Sequence, residues 1–472
     1  MAPVALRRSV QSTICVASRS SRSPLLQQKP RRHIATTTLP PEHQSFARSP
    51  STSSSSSCSS SASSSTNVRP LAYWLLGTGA LVAGMVTVGG ITRLTKSGLS
   101  MTDWRLQGSL PPLNDAEWLA EFTRYKQFPE YQQRQSMTLD EFKFIFYWEW
   151  GHRMMGRFIG LAYGVPLVYF AARGRIPRSL YPRLGALFAL GGGQGLIGWW
   201  MVKSGLEMDP QQRKEIRVSP YRLAAHLGMA FTTFSLLIWT GLDLLHPPEK
   251  ASRAAAVLQE RLLAAASPQA SQQLLQRVSR VRNLGIASAA LLATTIVSGA
   301  FVAGNDAGHA YNEFPKMMPH AWIAPEVFEW SNFEPKWRNI FENTALVQLD
   351  HRLLALSTAG LIGATLVAAR RGQVWSMLPS ETKTALTATV GMAGAQVALG
   401  ISTLLLYVPV PLAAAHQAGS LVLLTLLSWS VHSMKFLKKL PAGSAQQLWK
   451  QQQQQQQGGT AAVGKVVAEM VK

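Results

Sequence analysis

Eight apolar segments, near 71–91, 145–172, 184–202, 223–245, 284–303, 353–369, 385–408 and 411–431, constrain this chain more than any other feature. Each approaches the ~20 residues a helix needs to cross a bilayer core. Inside that core the backbone must satisfy its own hydrogen bonds, which a helix does within one segment. The Gly191-Gly192-Gly193 run, Pro166 and the Pro409/Pro411 break are tolerated in such helices. The expected fold is an all-α membrane protein with eight transmembrane helices. A charged content of 15% beside 47% hydrophobic residues agrees with this.

The net charge of +22 is unevenly placed. Residues 1–70 carry nine Lys/Arg, only one acid (Glu42) and a Ser run over 51–65. This reads as a mitochondrial targeting leader with a Ser-rich linker, and Arg31-Arg32-His33-Ile34 is a candidate processing point. Cys15 and Cys58, the only cysteines, fall in that leader. A mature chain is then expected to have no disulfide, thiolate metal site or cysteine nucleophile. Taken as a set, the connections after segments two, four and six, with the tail, are more basic than those after one, three and five. The positive-inside rule therefore puts both termini on the inner side, the matrix of a multi-pass mitochondrial inner-membrane protein. The long outer connections, 93–144 and 304–344, hold Trp104, Trp118, Tyr125, Trp322, Trp330 and Trp337 and are expected to fold at the membrane surface. The stretch 250–282 reads as an interfacial helix, and the Gln run 451–457 as unstructured.

The two halves look duplicated. His152-Arg153 pairs with His351-Arg352, Gln194 and Gly198 with Gln396 and Gly400, and Leu223-Ala-Ala-His226 with Ala413-Ala-Ala-His416. Four helices per half keep both copies in one orientation, giving tandem four-helix bundles related by a pseudo-two-fold axis along the membrane normal. The expected divisions are a leader at 1–70, an N-terminal half at 71–245 and a linker at 246–283. A C-terminal half follows at 284–434, then a Gln-rich tail at 435–472.

Of ten histidines, His152, His226, His351 and His416 open segments two, four, six and eight. All four enter from the outer side at similar depth, two per half. Facing imidazoles in a bundle core suit the axial positions of a heme iron. Small residues four positions on, Gly156, Ala230, Ala355 and Ser420, leave room for a flat macrocycle on the same face. Arg153 and Arg352 point about 100° away, toward a propionate or an outer-surface carboxylate, and Arg157 is a further propionate candidate. One difference separates the copies. Glu149 precedes His152 by three residues and is expected to face the first pocket, whereas its counterpart Gln348 cannot ionise. An electron carrier needs no carboxylate there; an enzyme handling protons or developing positive charge does.

Glu-x-x-His-Arg on the second segment, a His on the fourth, His-Arg on the sixth and a His on the eighth together resemble the heme A synthase family. The resemblance is to its mitochondrial form, an assembly factor for cytochrome c oxidase, and covers residues 70–440. It implies an oxidoreductase that hydroxylates the C8 methyl of heme O twice, the product diol losing water to give the formyl group of heme A. It implies substrate heme between His152 and His226 and a heme b cofactor between His351 and His416. Those four histidines are then the metal ligands, Arg153 and Arg352 bind cofactor, and Glu149 is catalytic. The implied electron source is a mitochondrial ferredoxin with its reductase. Heme O synthase, oxidase assembly factors and membrane lipid complete the expected partners, and nucleic acid is not among them. The chain departs from bacterial members that carry an outer-loop cysteine pair, having none after Cys58.

Competing readings are a diheme b-type cytochrome that only passes electrons and a transporter with parallel repeats. The prenyltransferase that makes heme O is set aside, because no Asp-x-x-x-Asp pair exists to hold magnesium diphosphate.

Overall fold

The computed structural model describes residues 67–208, 216–440 and Gln454. The leader, its processing point and Ser linker, and the Gln-rich run and most of the tail, lie outside the described residues. Within them the chain is helical, with no strand beyond an isolated bridge between Met318 and Ala321.

The helices are α1 (Arg69–Leu94), α2 (Asp115–Tyr125), α3 (Pro129–Gln132), α4 (Leu139–Ala172), α5 (Tyr181–Leu206) and α6 (Pro220–Leu245). After α7 (Pro248–Leu263) come α8 (Pro268–Gly304), α9 (Asn339–Glu342), α10 (Thr344–Arg370), α11 (Val374–Met377), α12 (Ser380–Leu405) and α13 (Val410–Ser433). Proline in the first turn opens α1, α6, α8 and α13, where its missing N–H is no loss. A capping box of Thr138 and Glu141 starts α4.

Among the described residues, seven helices are long and apolar enough to cross a membrane: α1, α4, α6, α8, α10, α12 and α13. The chain is thus an all-α, multi-pass membrane protein. The remaining predicted segment is also a helix, α5, of 26 residues. Gly191, Gly192, Gly193, Gln194 and Gly195 dilute its apolar character and keep it out of that set.

A central cluster joins the two halves: Val86 of α1 and Phe231, Phe234 and Ile238 of α6 meet Leu292 of α8 and Leu421, Leu424 and Leu427 of α13. At the end of α1, Arg93 lies 2.8 Å from Asp306, which Arg217 contacts at 3.1 Å. The stretch expected to be an interfacial helix is instead α7 plus an extension of α8. Leu258 and Leu262 bury against Val278, Val281, Met434 and Phe436, so the apolar stripe faces protein.

The two long connections, 93–144 and 304–344, differ from each other. The first buries Trp118, Phe122 and Tyr125 against Phe142 and Phe146, near the start of α4. The second leaves Trp322, Trp330 and Trp337 exposed. Beneath the first cluster Glu130, 6% exposed, accepts a bond from the Tyr125 hydroxyl at 3.1 Å. Burial pushes its carboxyl up to about 7, against the pull of Arg134, from an ordinary value of 4.5. The unfolded chain releases this proton near 4.5 and the folded one near 7. Stability from this group is therefore present at low pH and declines as pH rises between those values, by up to about 3 kcal/mol. Amide exchange in α2 and α3, corrected for intrinsic rates, should be slower at pH 5.5 than at pH 8, and Glu130→Gln should flatten that difference.

Candidate functional site

Each of the four predicted histidines leans on a glycine of the preceding long helix. A Cβ built on Gly89 of α1 would lie 2.8 Å from Cε1 of His152 on α4, and one on Gly198 of α5 3.0 Å from Cε1 of His226 on α6. In the other half Gly299 of α8 stands in the same relation to His351 of α10 at 3.1 Å, and Gly400 of α12 to His416 of α13 at 2.9 Å. All four rings are half-buried. His152 and His226 are within electrostatic range of each other, as are His351 and His416. Matched glutamines brace the second member of each pair. The amide nitrogens of Gln194 and Gln396 donate to the carbonyls of His226 and His416 at 2.9 and 2.8 Å, and each lies 3.2 Å from the ring Nδ1. The repeat of Gln and Gly noticed in the sequence is thus the local scaffold of two imidazoles, a role the sequence pattern alone did not reveal.

Glu149 and Gln348 occupy equivalent places and are 2% and 3% exposed. Neither stands alone. One Glu149 oxygen accepts from Ser100 Oγ at 2.8 Å and from the Met101 N–H at 2.7 Å. The other accepts from Arg153 Nη2 at 2.6 Å and Nε at 3.1 Å. Gln348 reverses the polarity toward its loop: its amide donates to the carbonyl of Ala307 at 2.8 Å, while its oxygen accepts from Arg352 at 2.9 Å. The first long connection therefore presents donors and the second presents carbonyls, which is what an acceptor-only carboxylate and an amide respectively require. The Glu149-x-x-x-Arg153 and Gln348-x-x-x-Arg352 spacings were a legible signal for these pairs.

The arginines reach outward and pin the loops. Arg153 donates to the carbonyls of Asp103 (2.7 Å) and Met101 (2.8 Å), and Arg352 to those of Tyr311 (2.7 Å) and Lys316 (3.0 Å). The carboxylate that Arg153 meets is the buried Glu149 rather than one at the outer surface. Arg157 holds the carbonyl of Leu106 at 2.9 Å. Arg153 and Arg157 line a cleft of about 550 Å³ beside α4, with Met101, Asp103, Arg105, Arg124, Trp150 and Met154.

A model of the Cytochrome oxidase assembly protein family matches residues 72–428. Heme A synthase COX15 of Arabidopsis thaliana is 46% identical over 374 residues, 78% of this chain and 76% of that protein. The chain belongs to the heme A synthase family. Heme A synthase COX15 of Homo sapiens is 45% identical over 373 residues, 79% of this chain and 84% of that protein. A heme A synthase-mitochondrial ferredoxin fusion protein of Schizosaccharomyces pombe is 43% identical over 375 residues, 76% of this chain and 58% of the fusion.

The side chains fit the ligand class of a heme A synthase. Four imidazoles, in electrostatic range of each other in two pairs, have glycine seats that a methyl group would crowd, and His152 Nδ1, Gln194 Oε1 and Gln396 Oε1 are buried without a partner among the described residues. Gly89→Ala should therefore displace the His152 ring and lower the heme-to-protein ratio of purified protein. Gly77→Ala, with nothing within 4 Å of the added carbon, should leave that ratio unchanged.

Proposed function

We propose that this heme A synthase oxidises the C8 methyl of heme O to the formyl group of heme A, by two successive hydroxylations, in its N-terminal half. The substrate heme sits between His152 and His226, and a b-type heme between His351 and His416 serves as electron cofactor. The reading rests above all on one observation: two matched imidazole pairs on glycine seats, with a carboxylate in one copy where the other has an amide at the same depth. The duplicated seats also support eight membrane-spanning helices, α5 included, arranged as two four-helix bundles (71–245 and 284–434) about a pseudo-two-fold axis.

The protein's own groups have distinct tasks. The four imidazoles are the side chains that would hold the hemes. Glu149 holds one negative charge beside the first site, oriented by Ser100, Met101 and Arg153 so that it need not reorganise when positive charge develops at C8. Arg153 and Arg352 close the outer connections over the sites and offer remaining N–H groups to propionates; Arg352 Nε is buried without a partner among the described residues. The bound iron supplies the electron-transfer and oxygen chemistry that no side chain here provides.

The mitochondrial inner membrane, with both termini in the matrix behind a cleaved leader, is supported by the basic inner connections and by the composition of residues 1–70. The relative fused to a mitochondrial ferredoxin supports a ferredoxin, with its reductase, as electron source. Delivery of heme O from its synthase and of heme A to oxidase assembly factors completes the scheme.

Extraction of hemes from purified full-length protein tests the reading. Heme B should be accompanied by heme O, its hydroxylated form or heme A. Heme B alone would instead indicate a carrier.

A further inference from the structure

The two sites differ at a second point, on the far side of the histidine rings. His351 Nδ1 lies 2.7 Å from Ser298 Oγ. That hydroxyl gives its own proton to the Thr295 carbonyl at 2.8 Å, so its oxygen is left to accept from the imidazole. That arrangement suits the tautomer with hydrogen on Nδ1, which leaves the Nε2 lone pair free for a metal. Behind it, Thr295 Oγ1 lies 2.8 Å from Thr358 Oγ1, and both threonines are buried. His351 is thus anchored to α8 through a short polar chain.

None of this exists around His152. Aligned on the glycine seats, Gly89 with Gly299, the position of Ser298 is taken by Val88 and that of Thr295 by Met85. Aligned on the histidines, Thr358 becomes Ile159. The space is filled by a thioether: the Met85 methyl lies 3.2 Å from where a Cβ on Gly156 would sit, one turn beyond His152. His152 Nδ1 is accordingly buried with no hydrogen-bond partner among the described residues. A buried ring nitrogen without a partner is unusual, and in a metal ligand it has consequences. A hydrogen bond from the distal nitrogen orients an imidazole and raises its basicity, and losing it typically costs 10–100-fold in metal affinity.

We propose that His152 is the exchangeable axial ligand of this protein and that Ser298 is a positioning residue that makes His351 a permanent one. This rests on the two-site reading above and deepens it: the site that must admit substrate, release product and free an iron position is the one whose ligand lacks an anchor. The site that only relays electrons has its ligand pinned. Thioethers such as Met85 are adaptable packing, so the unanchored ring also has yielding neighbours.

Carbon monoxide is the probe, because it binds ferrous heme only where an axial ligand leaves. Full-length protein is purified in detergent, reduced and titrated with carbon monoxide by absorbance. The two hemes are assigned through His152→Ala and His351→Ala. In the unsubstituted protein the heme lost with His152 should bind carbon monoxide and the other should not. Val88→Thr, isosteric but carrying the missing hydroxyl, should weaken that binding at least tenfold. Ser298→Val should make the second heme reactive, and Ser298→Thr should keep it inert. A packing role for Ser298 alone predicts heme loss without the opposite, tightening effect at Val88. Carbon monoxide affinity unchanged in Val88→Thr, or a second heme still inert in Ser298→Val, overturns the proposal. If His152→Ala and His351→Ala each retain both hemes, the two-site reading itself fails, a result distinct from the first.

Discussion

Glu149→Gln should reduce heme A formation by roughly 10²–10³-fold while the purified protein keeps its hemes, in line with loss of a preorganised charge at a reacting centre. The structure says why the substitution is informative. Gln348 shows that an amide can occupy this depth beside an arginine, 2.9 Å from Arg352, so the fold has a precedent for it. The first loop still presents the Ser100 hydroxyl and the Met101 N–H, and an amide nitrogen turned toward either is a donor facing a donor. A stability loss of about 1–3 kcal/mol is therefore expected, too small to explain the loss of turnover if heme content is preserved. Arg153→Ala should behave differently. It strands a buried carboxylate and unpins the loop at Met101 and Asp103, costing about 3–5 kcal/mol and lowering heme content together with activity.

His351→Ala and His416→Ala should each remove the second-site heme and abolish sustained heme A production, while heme O still binds in the first half. Heme extraction and absorbance spectra would show one heme per chain instead of two. The vacated space beside Gly299 or Gly400 is shaped for a ring. Added imidazole should restore part of the lost heme, which a collapsed bundle could not do. Full activity from either variant would mean that electrons reach the first site without the second.

Much of this was open to reading from residues alone, for physical reasons. Ionisable and imidazole groups inside apolar segments are costly enough to mark a site, which is why Glu149, His152, His226, His351 and His416 stood out. Gln194 and Gln396 were visible as a repeated pair, but their grip on the histidines depends on how α5 packs on α6 and α12 on α13. The Glu149–Arg153 pairing was encoded in its spacing, yet Glu149 had been read toward the pocket and Arg153 toward a propionate or an outer-surface carboxylate, because the fold of residues 97–111 over them has no local signature. Ser298 was invisible: a single serine in a membrane helix forms no pattern, and it acquires meaning only when Gly299 and Gly89 are seen to seat equivalent rings. The stretch 250–282 was read as interfacial from its Ala-, Gln- and Arg-rich composition, which does not show that Leu258, Leu262, Val278 and Val281 pack on Met434 and Phe436.

The account stands or falls on each half clasping a metalloporphyrin between its two imidazoles. Near-infrared magnetic circular dichroism and low-temperature electron paramagnetic resonance of the oxidised, full-length protein measure this directly. Two low-spin signals with bis-histidine signatures are predicted, one lost from His226→Ala and the other from His416→Ala. A single such signal, or a pair that survives both substitutions, would contradict it.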